Sequence, residues 1–271
     1  MPLGHPEDIT LRALRFLRRA DWVAAEDTRT AGRFLARHGI RPRLLSYHDW
    51  NEAERTRQIL ERLDRGDRVA VISEAGTPGI SDPGFEVVRA ARAGGYRVIP
   101  VPGPSAVTAL LSVAGLPTAP FSFYGFPPRK RARRRMFFER LKDRPETLVF
   151  YESPHRILEA LEDALEVFGD RECAVGREMT KPHEEFLWGS IASVRKALAS
   201  RHRVRGELCW AVRGTGDPAA RARIPVDQAL EEIAGSELPP RQAARELARR
   251  CGLSSNEAYR LVIGARRAGS P

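Results

Sequence analysis

The residues from Ser73 to Gly84, SEAGTPGISDPG, follow the short apolar run DRVAVI and precede the helically spaced FEVVRAARAGG. The turn holds three glycines and two prolines, is flanked by the carboxylates of Glu74 and Asp82, and contains neither lysine nor arginine. Glycine after a strand lets backbone approach a ligand, and in open α/β sheets ligands collect outside the carboxyl ends of the strands. A triphosphate site normally brings a cationic side chain, and neither G-x-x-x-x-G-K-[ST] nor G-x-G-x-x-G is present. The chemistry expected is binding of a neutral or positive ligand such as a sulfonium, although the same charges also suit solvated turn residues. YRVIPVPGPSAVTALLSVAG repeats the plan, with an apolar strand from Tyr96 to Val101, a turn through Pro102, Gly103 and Pro104, and Ser105 as a helix N-cap. Two such turns predict a pocket.

The elements that must carry these turns alternate. A helix is expected from about Asp8 to Arg19, then strand WVAAE, a helix from Thr28 stopped by Gly39, strand RLLSY, and helix EAERTRQILERLDR ending before Gly66. With the two strand-and-turn units this predicts a parallel sheet with crossover helices. Prolines at 117, 120, 127 and 128 mark a domain boundary. A second α/β unit follows: strand ETLVFYES, helix PHRILEALEDALEVFG, short strands near ECAVG and EEFLWGS, and a last strand ELCWAV before a polar, mobile-looking RGTGDPAARAR. From Ile224 the pattern is wholly helical, with a helix, a tight turn at Gly252 and a second helix from Ser254 and Ser255, the outline of a helix-turn-helix. Seven arginines against six acids over 225–271 suit packing or docking at least as well as DNA reading. The expected fold class is α/β, with domains over 1–118 and 119–216 and a helical tail over 224–271.

At 271 residues and 42% hydrophobic content the chain can bury two cores. Its three cysteines, Cys173, Cys209 and Cys251, form no C-x-x-C pair, so neither a metal site nor a disulfide framework is indicated and a reducing cytoplasm fits. No apolar run approaches the roughly 18 residues of a spanning helix, and the N-terminus lacks signal-peptide features. A soluble protein with no membrane partner is expected. The net charge is +10, and 41 of the 45 basic residues are arginine. From Arg129 to Arg144, RKRARRRMFFERLKDR, nine basic and two acidic residues hold +7 of that total. A concentrated field of this kind is the footprint of a nucleic-acid partner, the alternative being a solvated helix face.

PEDITLRAL, AAEDTR, LLSYHDWNE, SEAGTPGISDPG, PVPGPSAV, LVFYESPHR and REMTKPHEE, in this order, resemble the RsmI-type small-subunit rRNA (cytidine-2′-O)-methyltransferases of the tetrapyrrole methylase superfamily. The resemblance runs from Pro2 to about Arg213, and the helical tail is similar to one that many such enzymes carry. It implies two α/β domains with S-adenosylmethionine in the cleft between them, 16S rRNA or the small ribosomal subunit as partner, and a homodimer. Carried over by position, the cofactor contacts are Ala75, Gly76, Thr77 and Ile80, then Ser105 and Ala106, and from the other domain Tyr151, Glu152 and Met179. Gly76 would let backbone near the ligand, and Ser105 offers a hydroxyl at a helix N-terminus. Glu74 stands where the family usually has Asp. The family pattern also begins with an apolar strand before a Pro-Ile-Gly-Asn-like turn that MPLGHPEDIT joins halfway, so the first strand is expected to be missing and translation to start upstream.

Methyl transfer from a sulfonium is an in-line displacement, and a ribose hydroxyl benefits from a nearby base. Candidates in the matching motifs are Asp27, His183, Glu184 and Lys181, the last only if burial lowers its pKa. His183 equally suits a structural role, and Asp27 equally suits capping the helix at Thr28. Arg29 and Arg156 are candidate phosphate contacts, together with Arg129, Lys130, Arg131, Arg133, Arg134 and Arg135 of the basic segment. Two other readings stay open: a tetrapyrrole methylase of the same fold, and a non-catalytic RNA-binding assembly protein.

Overall fold

The structure, a computed structural model, describes residues 1–216, 226–234, 236, 238–251 and 253–268. The chain forms two compact units, Met1–Leu141 with Thr147–Arg213, and Lys142–Glu146 with Gly214–Pro271.

In the first unit, α1 (Leu11–Arg19) starts where Thr10 Oγ1 accepts from Ala13 N at 3.1 Å, and it buries Leu14 and Leu17. Then come β1 (Trp22–Ala25), α2 (Thr28–Arg37), β2 (Arg43–Ser46), α3 (Glu52–Asp64) and β3 (Val69–Ile72). β1 is the middle strand, parallel to both neighbours, with Trp22 opposite Arg43 and Val69 and Ala25 opposite Ser46 and Ile72. The loop of residues 73–84 leads into α4 (Phe85–Ala93), and α5 (Ala106–Val113) follows. The strand expected over Tyr96–Val101 is absent. Its apolar pattern is real, but a strand needs a ladder partner, and Val98 and Ile99 remain 41% and 39% exposed. Among the described residues β3 likewise has a partner on its β1 side only.

The second sheet is mixed, in the order β4 (Phe121–Phe123), β5 (Thr147–Glu152), β8 (Leu208–Val212), β6 (Glu172–Arg177), β7 (Glu185–Ser190). β4 runs parallel to β5 and the other pairs are antiparallel. Against it pack α6 (Arg131–Glu139), α7 (Ile157–Phe168) and α8 (Ile191–Ala199), around a core that includes Phe138, Phe150, Leu161, Ile191 and Trp210. A separate cluster joins Val107, Leu110 and Leu111 of α5 to Val149, Cys209 and Ala211. The helix that closes the first half in sequence therefore packs on the sheet of the second, which makes the proline-marked boundary a break in chain order rather than in space.

In the second unit α9 (Val226–Ala234), α10 (Pro240–Cys251) and α11 (Ser255–Ala268) pack around Ala229, Ile233, Ala244, Leu247, Ala258 and Val262. Ser254 and Glu257 form a reciprocal capping box before α11, each side chain accepting from the other's backbone N–H. The expected turn at Gly252 and the polar stretch beyond Gly216 lie outside the described residues.

Candidate active site

The loop after β3, the N-terminus of α5, the end of β5 and the β6–β7 connection enclose a cleft of about 360 Å³. All nine residues expected to contact a cofactor line it: Ala75, Gly76, Thr77, Ile80, Ser105, Ala106, Tyr151, Glu152 and Met179. Gly76 has φ +69°, and a Cβ there would meet Leu3 and the Pro104 carbonyl only at an ordinary 3.6 Å. Its glycine is thus favoured by backbone conformation. Gly4 is the reverse: a Cβ would stand 2.2 Å from Lys181 Cγ, so only glycine lets the N-terminal segment cross there. Three non-glycine residues adopt left-handed backbone around the cleft, Ser81 (φ 64°), Glu178 (φ 50°) and Thr180 (φ 64°). Such conformations cost on the order of 1–3 kcal/mol each and persist where neighbours over-determine them. Here Glu178 Oε1 accepts from Lys181 Nζ and Glu207 N, both at 2.9 Å, and Thr180 N donates to Glu184 Oε2 at 2.6 Å.

The cleft is acidic. Glu26, Glu74 and Asp82 line it, and among the described residues none forms an ion pair or hydrogen bond. Burial, reinforced by Glu26, Glu74, Glu207 and Asp49, pushes the Asp82 carboxyl up to about 6. Glu74 is raised by burial and by Glu26, Asp27 and Glu207. The Met1 ammonium donates to the Gly76 carbonyl and feels Asp82, but burial dominates and lowers its pKa. Glu152 Oε1 accepts from Ser153 N and Arg156 Nε at 2.8 Å, whereas its Oε2 is buried with no partner. Burial raises the Tyr151 phenol to about 12, so it stays protonated at neutral pH. Uncompensated carboxylates and an orphaned buried acceptor, beside open space, fit a ligand with positive charge and hydrogen-bond donors. S-adenosylmethionine has both.

Among the candidate bases, Asp27 caps α2 by accepting from Arg29 N at 2.8 Å and Thr30 N at 3.3 Å, and these bonds hold its pKa below the ordinary carboxylate range. Lys181 is corrected: burial acts to lower its pKa, but hydrogen bonds to Glu178 and Glu207 outweigh that and raise it, so it remains a cation and no base. His183 and Glu184 are exposed and line neither cavity of this region, Glu184 serving to hold the Thr180 turn.

The basic segment is also corrected in part. Arg134 is fully buried, its Nε donating to Asp163 Oδ2 at 2.8 Å, and cannot meet RNA. Arg156 is committed to buried Glu152 and to the Pro127 carbonyl. Arg131 pairs with Asp163 and Glu166, and Arg135 with Glu166. Arg129, Lys130 and Arg133 project from the surface without carboxylate partners among the described residues. Arg29 is exposed, 3.5 Å from Asp27. Sequence reasoning left Glu26 and Glu207 out of the site and Asp82 out of the contacts, although the acids of AAEDTR and SDPG were visible within motifs already singled out.

The Tetrapyrrole (Corrin/Porphyrin) Methylases family model matches residues 1–195, and the chain belongs to that family. Within it, the chain is 41% identical over 263 residues to a protein of Mesorhizobium japonicum, covering 97% of this chain and 89% of the relative. It is 42% identical over 265 residues to one of Pseudomonas aeruginosa, covering 97% and 94%. Both relatives are named ribosomal RNA small subunit methyltransferase I. Solved structures agree on the fold. Cobalt precorrin-4 methyltransferase CbiF has a TM-score of 0.57 at 19% identity, with 78% of this chain and 91% of that one covered. The uroporphyrin-III C-methyltransferase of Thermus thermophilus, solved with S-adenosylhomocysteine, has a TM-score of 0.53 at 24% identity, with 78% and 94% covered. No helix among the described residues is long and apolar enough to cross a membrane.

Proposed function

We propose that the chain is an S-adenosylmethionine-dependent methyltransferase of small-subunit rRNA, acting on the ribose 2′-hydroxyl of a cytidine in the cytoplasm. The observation that carries this reading is the acidic cleft, where residues from both sheets converge around Glu26, Glu74 and Asp82, which form no ion pair among the described residues. Bound there, the cofactor supplies an electrophilic methyl group. Glu26, Glu74 and Asp82 favour its positive charge, Glu152 Oε2 offers an acceptor, and Tyr151 and Met179 close the apolar side. Glu74 is the carboxylate assigned to take the hydroxyl proton, because it borders both the cleft and the neighbouring cavity and its raised pKa makes it a better base than Asp27. As the oxygen lone pair forms the C–O bond, the S–CH3 bond breaks and a neutral thioether leaves.

Two copies are proposed to associate through Val113 and Trp188, which are exposed side by side with the indole N–H donating to the Val113 carbonyl at 2.9 Å. Light scattering of Trp188→Lys should then report a monomer where the wild type reports a dimer. The function is tested by incubating the protein with labelled S-adenosylmethionine and either free 16S rRNA or assembled small subunits, then mapping the label. Incorporation at a ribose 2′-oxygen is expected; no incorporation into either RNA substrate, with label instead entering a tetrapyrrole acceptor supplied in a parallel incubation or entering none, would overturn the reading.

A further inference from the structure

A second cavity of about 270 Å³ adjoins the cleft. One face of α2 forms its wall, because Thr30, Phe34 and Arg37 recur at helical spacing and Asp27 precedes them on the same face. Lys181, held in place by Glu178 and Glu207, closes another side. Leu3, Glu26 and Glu74 border both cavities, so contents of the two are separated by a single layer of side chains.

We infer that this cavity receives the unstacked base of the nucleotide being methylated, and that it selects a base carrying an exocyclic amino group. The inference rests on the rRNA methyltransferase reading above and adds a binding site to it. The volume is at the small end for small-molecule pockets, which run to roughly 300–1,000 Å³, so it suits one planar ring and excludes a macrocycle. The ring of half-buried Phe34 supplies an aromatic surface of the kind on which proteins stack splayed RNA bases. Carboxylates accept from the amino group of cytosine, and Glu26, Asp27 and Glu74 provide three of them. Arg37, which has no carboxylate partner among the described residues, and Lys181 can donate to the ring's acceptors. A carbonyl in place of the amino group would face the same carboxylates without a proton to share. With the base seated here, its ribose falls at the wall made by Glu26 and Glu74, on the side of the methyl donor.

The test plugs the cavity from its rim. Thr30 and Arg37 are exposed, lie on α2 and are absent from the lining of the cofactor cleft. Thr30→Trp and Arg37→Trp are each made, checked for fold by circular dichroism, titrated with S-adenosylhomocysteine by calorimetry, and assayed on the wild-type substrate. Folded variants should keep cofactor affinity and lose about 100-fold in methylation, the scale of loss when a reacting group is misplaced. Uridine at the mapped position should react about 10-fold more slowly than cytidine with the wild type. Either folded plug variant working at the wild-type rate, or losing cofactor affinity, would overturn the pocket; equal rates on uridine and cytidine would overturn the selection. A wild type that methylates no rRNA would instead refute the functional reading itself, and the wild-type arm shows that separately.

Discussion

At the scale of single residues, charge that is left unbalanced matters most. Asp82 has a native pKa of about 6 against an ordinary 3.8, so the folded protein binds its proton more tightly than the unfolded chain does. Its contribution to stability is therefore full below pH 3.8 and lost as pH rises through about 6. Ligand binding runs the other way: a sulfonium gains from the ionised form, so affinity for S-adenosylmethionine relative to neutral S-adenosylhomocysteine should rise from pH 5 to pH 7.5. Calorimetry on Asp82→Asn should find that ratio flat with pH, and a persisting slope would assign the titration to another acid. Glu74→Gln should lower kcat about 100-fold, as loss of a general base does, while the fold by circular dichroism is unchanged. Asp163 presents the opposite case, a buried carboxylate fully matched by Arg134 and Arg131. Asp163→Ala leaves buried Arg134 with only the exposed Glu159 carboxylate and the Arg129 carbonyl, each at 3.3 Å, and should cost about 3 kcal/mol, a Tm fall on the order of 10 °C by calorimetry. The double change Arg134→Met with Asp163→Leu should be markedly milder, because no charge is then stranded.

At the scale of elements, legibility followed locality. The loop of residues 73–84 was readable as a turn at the end of a strand because glycine, proline and acid positions within one stretch specify it, and its Gly76, Thr77 and Ile80 line the cleft. Asp27 was readable both as a cap and as a base, and the geometry of α2 makes it the cap. The basic segment was only half legible. Its charge is written in sequence, but which arginines point inward depends on Asp163 and Glu166, acids of α7 some thirty residues on. β4 was hidden because its three residues lie among prolines and pair only with distant β5. The expected Tyr96–Val101 strand failed for the same reason in reverse: an apolar run suggests a strand, while the neighbour that makes a ladder is a tertiary fact. The corrected basic surface gives its own expectation. Changing Arg129, Lys130 and Arg133 together to Ala should weaken RNA binding and flatten the plot of log affinity against log salt by about 2 in slope. Arg135→Ala alone should do little, since its charge is already spent on Glu166. Filter binding across a salt series distinguishes the two.

At the scale of the whole molecule, both sheets fall within one compact unit, and α5, which follows the first sheet in sequence, shares a core with the second, so the cleft lined by the loop after β3 and by the end of β5 lies inside that unit. The helical tail keeps its own core. The first sheet ends differently from the second. Among the described residues β3 has a ladder partner on its β1 side only, and Val98 and Ile99 add exposed β-branched side chains outside any strand. Open edges of this kind template pairing between molecules, so the property they govern is colloidal. Concentrated protein warmed below its melting point should cloud and bind an amyloid-reporting dye, and Val98→Lys, a charged gatekeeper at an exposed position, should delay that onset without moving Tm.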